Sequence, residues 1–194
     1  MTAPKCSEAG GTIESMAETL LSYADLETFP DDGLRRELIE GQLVVTASPI
    51  TRHQQLVVRL IVAFYAHLSE HGGGQVFPAP YDVVLSGHDV VEPDVIFVAD
   101  ERANIVGERN VTGVPSLLIE VLSDARTDRV RKRDLYARFG VPEYWIVDGE
   151  ADRVEVYRLE SGGYGKPEIL EPGDTLTLEI LAGFTLDIDI LFAR

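Results

Sequence analysis

Cysteine is almost absent from this 194-residue chain: Cys6 stands alone in a polar, glycine-containing N-terminal stretch. Without a second thiol it closes no internal disulfide and builds no cysteine-based zinc site, which fits a reducing, cytoplasmic setting. Long apolar runs are missing too. None reaches the roughly 18 residues expected of a membrane span, and Met1 to Gly11 holds no apolar core of signal-peptide length, so the expectation is a soluble protein with no membrane partner. Positive charge is scarce: 17 Lys and Arg face 33 Asp and Glu, for a net charge of −16. That balance argues against holding nucleic acid through a general electrostatic surface. There is also no internal repeat and no low-complexity tract.

An apolar fraction of 45% is ample for a packed core, and the length fits one domain. We expect a disordered segment over 1–15 and a single domain over 16–194. The acidic average hides a local reversal, because six of the 17 Lys and Arg fall between Arg126 and Arg138. If phosphate is bound by a basic surface, it is bound there; the blander reading is a solvated helix face, partly offset by Asp128 and Asp134.

The element pattern begins with a short helix at Tyr23 to Phe29 and a hairpin, Arg36 to Ile39 and Gln42 to Ala47, turned at Glu40-Gly41. Leu56, Val57, Leu60, Ile61, Phe64 and Leu68 recur at helical spacing between Arg52 and Glu70, ended by Gly72-Gly73-Gly74. Strands are predicted at Gln75 to Pro78, Tyr81 to Leu85 and Val91 to Ala99, then at Val114 to Ser123, which reads as central. A helix capped by Thr127 or Asp128 runs to Phe139 and is stopped by Gly140 and Pro142. Glu143 to Asp148 and Arg153 to Leu159 form a hairpin whose second strand alternates, predicting one solvated face. An all-β tail follows: Glu168 to Leu170, Thr175 to Leu178 and Phe184 to Ile190. The fold class is α/β, a mixed β-sheet core flanked by helices with an additional C-terminal β segment.

Three polar residues stand out against apolar surroundings. Asp94 opens the run Val95 to Val98, and Glu120 interrupts Leu117-Leu118-Ile119-Glu120-Val121-Leu122, a run that otherwise reads as a strand buried on both faces. An ionised acid there needs a cation or a hydrogen-bond network, because desolvation of an unpaired charge costs several kcal/mol on the order of magnitude seen in proteins. Lys132 shares a helical stripe with Leu135, Tyr136 and Phe139. Its ammonium must snorkel or meet a carboxylate, with Glu120 on the preceding strand as one candidate and an exposed pair with Asp128 as the other. Spacing leaves both open. Two acids with a main-chain carbonyl near Val121 make the oxygen shell that magnesium prefers, and a nearby lysine can orient or help deprotonate a water.

Glu92-Pro93-Asp94-Val95, Pro115 to Ser123, Asp128 to Lys132 with Tyr136, and Gly140 to Asp148 together resemble a large bacterial family described as "putative restriction endonucleases", within the PD-(D/E)XK nuclease superfamily. Glu37-Leu38-Ile39-Glu40-Gly41 and the start of the long helix at His53 extend the similarity from about Leu20 to Phe192. The resemblance implies a restriction-endonuclease-like core that cuts DNA with Mg2+ or Mn2+, bound by Asp94 and Glu120, with Glu40 as an accessory acid. The superfamily's lysine normally stands two residues after the second acid, where this chain has Leu122. Lys132 from the next helix is then its substitute.

By its place beside Gly41, Glu40 reads equally as a hairpin-turn acid; the resemblance favours the site role. His53 is read as structural or surface, and Tyr144 and Trp145 as core aromatics in preference to base-stacking residues. The leading function is a magnesium-dependent DNA endonuclease; the alternative is a binding or assembly module on the same fold, favoured by the charge, and a third is a hydrolase of small phosphoesters. A homodimer is expected, since two-strand cleavage is simplest with two sites and Phe184, Leu186, Ile188, Ile190, Leu191 and Phe192 offer apolar surface.

Overall fold

The computed structural model describes residues 20–30, 32–46 and 48–194, so the segment expected to be disordered and Cys6 lie outside the described residues. The first elements are a one-turn helix α1 (Tyr23–Leu26), capped by Ser22, and the hairpin β1 (Arg35–Ile39) and β2 (Gln42–Thr46). Ile39 pairs with Gln42 across a two-residue turn. Glu40 and Gly41 both have positive φ, 56° and 72°, the requirement of the tight hairpin turn whose twist matches the strands.

The long helix α2 (Thr51–His71) buries His53, Leu56, Leu60 and Phe64 on one stripe. Strand β3 (Gly74–Pro78) then pairs antiparallel with β6 (Val95–Ala99). At Gly74 a Cβ would stand 2.5 Å from the Val98 carbonyl oxygen, so only glycine lets the two backbones approach. β4 (Asp82–Ser86) and β5 (Asp89–Val91) form a second hairpin, and β7 (Asn110–Thr112) runs parallel to β4 after a 3-10 turn at Asp100–Ile105. The run expected as one strand from Val91 to Ala99 is thus broken at Glu92-Pro93-Asp94. Proline has no N–H for a ladder, and the break sends β5 to one sheet and β6 to another.

β8 (Leu117–Val121) lies between β6 and β9 (Glu143–Asp148), antiparallel to the first and parallel to the second. Parallel neighbours need a crossover, and the basic segment supplies it: a π-helical turn, Thr127–Lys132, leads into α3 (Arg133–Phe139). The start of this segment is capped by Asp124, whose carboxylate accepts from the Arg126 amide at 3.0 Å, and not by Thr127 or Asp128. β10 (Arg153–Glu160) pairs with β9, β11 (Gly163–Tyr164) and β12 (Glu168–Leu170). A small hairpin of β13 (Thr175–Thr177) and β14 (Thr185–Asp187) precedes α4 (Ile188–Phe192). The C-terminal β segment therefore ends in a helical turn, because the Asp187 side chain accepts from the Asp189 amide and caps it.

The result is a mixed α/β fold: a five-stranded sheet β2-β1-β5-β4-β7 and a seven-stranded sheet β11-β10-β9-β8-β6-β3, with β12 also on β10. Alternation along the large sheet divides its core. Phe97, Ile119 and Trp145 face α2 and the C-terminal segment, whereas Ile96, Leu118 and Tyr144 face α3 and the small sheet. The face of β10 expected to be solvated is covered, since Glu155 is buried under Arg129, whose Nε donates to it at 2.8 Å.

Phe184 joins the C-terminal segment to this core, stacking on Phe64 with ring centroids 4.4 Å apart. Leu186, Ile188, Leu191 and Phe192 are buried with it, and only Ile190 of the expected dimer surface is exposed. That apolar surface is consumed inside the chain. Truncating Phe184 to alanine should cost about 3–5 kcal/mol, the range for buried aromatic-to-alanine changes. Urea unfolding of the variant checks this; a loss of only a few tenths would mean the segment is an appendage.

Candidate active site

Register, more than sequence distance, places the two acids. Val95 lies opposite Ile119, so one step further along Asp94 comes beside Glu120. Val95 and Ile119 face α2; Glu120, the next residue of β8, therefore leaves the sheet on the opposite face, under the crossover segment, whereas Asp94 stands just before β6, where His53 of α2 and Arg35 of β1 both reach it. Both are almost completely buried.

Each carboxylate is held by several donors. Oδ2 of Asp94 accepts from the Val121 amide at 2.8 Å and lies 3.1 Å from His53 Nε2, while Oδ1 accepts from Arg35 Nη1 at 2.8 Å. Oε1 of Glu120 accepts from Lys132 Nζ at 2.9 Å and from the Tyr136 hydroxyl at 3.1 Å. Its other oxygen, Oε2, is 3.6 Å from Arg35 Nη2. Lys132 Nζ also stands 2.9 Å from Oε1 of Glu37 on β1, an oxygen that accepts from the Glu92 amide at 2.8 Å.

The electrostatics are those of a site short of positive charge. Five acids, Glu37, Glu92, Asp94, Glu120 and Asp128, surround two fixed cations, Arg35 and Lys132. Burial pushes the Glu120 carboxyl up to about 8 against the pull of Lys132, and Asp94 adds to the rise. Burial likewise raises Glu92 to about 7 and lifts Asp128. Asp94 goes the other way: burial would raise it, but the His53 contact, the Arg35 charge and the Val121 amide hold it below the usual carboxylate range. Burial would also lower Lys132, yet Glu120 and Glu37 hold it above an ordinary lysine, so it remains a cation.

Asp94, Glu120, Val121 and Lys132 thus come together: all four line one cavity of about 620 Å³ and belong to a single contact network. The exposed Asp128–Lys132 pair is not formed, since both residues are buried and the ammonium goes to Glu120 and Glu37. Glu40 stands apart. It sits on the hairpin turn with its side chain 63% exposed, paired with Arg138. Strand alternation turns Glu37 inward instead. Glu37 lacked the signal that marked Glu120, because two arginines precede it in β1 and the strand does not read as apolar. His53 is buried against Asp94, not a surface residue. Nothing local marked Arg35, whose partners come from other strands.

The basic cluster is largely committed within the chain. Arg129 pairs with Asp148 and Glu155, both at 2.7 Å, Arg133 with Asp134, and Arg138 with Glu40 and Asp89. With Lys132, four of its six cations are thus paired within the chain.

Among the described residues no three His, Cys, Asp or Glu side chains are grouped to hold a metal. Two carboxylates with a main-chain edge suit magnesium, which retains several of its waters. The donor set fits in one further respect. Between Asp94 and Glu120 lies the Arg35 guanidinium, whose buried Nε and Nη2 have no hydrogen-bond partner, so the cation now between the acids fills that place imperfectly.

A family model described as "Uma2: Putative restriction endonuclease" matches residues 22–189. Among solved structures, a "putative nuclease belonging to DUF820" from Anabaena variabilis matches with a TM-score of 0.75 at 18% identity, over 89% of this chain and 98% of that one. The likeness shows a shared fold. No curated protein matches the sequence.

Lys132→Met should destabilise the protein by about 3–5 kcal/mol, the cost of leaving a buried partner charge uncompensated, where an exposed pair would cost a few tenths. Adding Glu37→Gln should recover part of the loss by removing one stranded carboxylate. Denaturant unfolding of the single and double variants measures both.

Proposed function

This chain belongs to the Uma2 family of "putative restriction endonucleases", and we propose that it is a magnesium-dependent DNA endonuclease that hydrolyses phosphodiester bonds with a water. The observation that carries the reading is the approach of Asp94, just before β6, to Glu120 on β8, beside a lysine that stays charged. Asp94, Glu120 and the main chain of Val121 would hold the ion. When bound, magnesium acidifies a coordinated water and neutralises charge on the scissile phosphate.

The chain's own groups prepare that site. His53 and the Val121 amide fix Asp94, and Tyr136 fixes Glu120. Lys132, clamped between Glu37 and Glu120, presents its remaining N–H to the attacking water as a donor. Because those acids hold it protonated, its part is to orient the water and offset negative charge, not to take the proton. Manganese can replace magnesium on the same hard oxygen ligands. Cutting both strands calls for two such sites. The proposed active form is therefore a homodimer, joined through a surface other than the buried C-terminal segment.

The competing reading, a binding or assembly module on a nuclease fold, is favoured by the net charge of −16 and by the internal pairing of the crossover arginines. Magnesium decides between them. It should stabilise the wild type by about 2.7 kcal/mol at a hundredfold excess over its Kd, and Asp94→Asn or Glu120→Gln should remove that shift together with plasmid cleavage. Thermal unfolding and plasmid nicking provide the measurements. DNA left intact by the wild type with magnesium and with manganese would favour the module.

A further inference from the structure

Three fixed cations line the cavity, and two of them are each anchored by two or more partners. Lys132 is clamped between Glu37 and Glu120. Arg52 donates to Asp152 at 3.0 Å and to the carbonyls of Phe192 and Ala193 at 2.9 and 3.2 Å. Arg35 is held differently. Its one hydrogen bond runs from Nη1 to Asp94 Oδ1, while Nε and Nη2 are buried without partners, 3.3 Å from Glu92 and 3.6 Å from Glu120 in poor geometry. The guanidinium sits between the two carboxylates that the proposed mechanism assigns to magnesium.

We propose that Arg35 is a displaceable counter-ion: it neutralises Asp94 and Glu120 until a divalent cation takes its place, and the freed guanidinium then binds the substrate phosphate. The inference rests on the nuclease reading above. One guanidinium and one magnesium ion cannot both occupy the space between the same two oxygens. Arginine is also the costlier group to leave there, since its planar fork is made for two-point contact and makes one such bond here. A metal that must expel it binds with an apparent affinity reduced by the fraction of time the acids are free. Once expelled from between Asp94 and Glu120, the side chain keeps only the Glu92 contact at Nε, and a phosphate diester offers the two oxygens that its fork lacks.

The test compares wild type, Arg35→Met and Arg35→Lys. Titration calorimetry with magnesium should show Arg35→Met binding about tenfold or more tightly than wild type, as release of a self-occluded site requires. Arg35→Lys, which keeps the charge but cannot span both acids, should fall between them. Fluorescence anisotropy with a short DNA duplex, calcium replacing magnesium, should show several-fold weaker binding by Arg35→Met. Should both variants fail to fold, the wild type with its arginine Nε labelled with 15N serves: the Arg35 signal should move on adding magnesium.

Unchanged or weaker magnesium affinity in Arg35→Met, or an Arg35 signal that does not move, overturns displacement. Unchanged DNA affinity overturns the phosphate role. Wild type and Arg35→Met binding magnesium equally well would remove this inference and leave the nuclease reading standing. Neither binding it would remove both.

Discussion

An ammonium group sealed between two carboxylates ties the molecule together. Lys132 comes from the crossover segment, Glu120 from the centre of the large sheet and Glu37 from the small one, with both contacts at 2.9 Å. A buried ion pair gains little over apolar residues of the same shape, but breaking one is costly. Its effect is therefore on arrangement: three layers that could otherwise slide against one another share one position in which the ammonium meets both carboxylates. Tyr136 and the Glu92 amide complete the network, so shifting any one layer would leave polar groups stranded.

The rest of the site inherits its geometry from that constraint and from the sheet beneath it. On the far face Phe64, Phe97, Trp145 and Phe184 form a packed aromatic group, which gives β6, β8 and β9 a rigid backing. Acids placed on such strands are held more closely than acids on loops could be. The same α2 that supplies Phe64 to that core presents His53 to Asp94 at its first turn, so packing and orientation of the acid are joined in one helix.

Charge imbalance gives the site its chemical character. Buried carboxylates outnumber the fixed cations around them; burial lifts Glu120, Glu92 and Asp128, and the neighbouring acids add to the rise. Protons can offset the imbalance; so can a divalent ion. The net acidity of the whole chain does not favour DNA by charge alone; on the proposed reading a local excess of acid would hold a magnesium ion, and the ion would bring the charge that meets the phosphate.

Much of this was legible in the chain itself. Helical and alternating periodicities marked α2 and the strands through Asp148, because those patterns follow from which side of an element is buried. Glu120 announced itself as an acid in a buried strand, and Lys132 as a cation on an apolar stripe. Local pattern failed where a partner was distant. Nothing near Glu155 showed that Arg129 would cover it, and nothing near Ile188 showed that Asp187 would start a helical turn in place of a strand. Glu37 lies within β1 and Glu40 on the turn that follows it, and only the packing of β1 against the crossover decided that Glu37 faces inward. By itself the sequence determined that Asp94, Glu120 and Lys132 must find compensation, since the cost of a buried charge is a property of the residue and its apolar neighbours. Which partner compensates each was decided by the tertiary structure alone, because strand register and the crossover bring together groups that no sequence spacing relates.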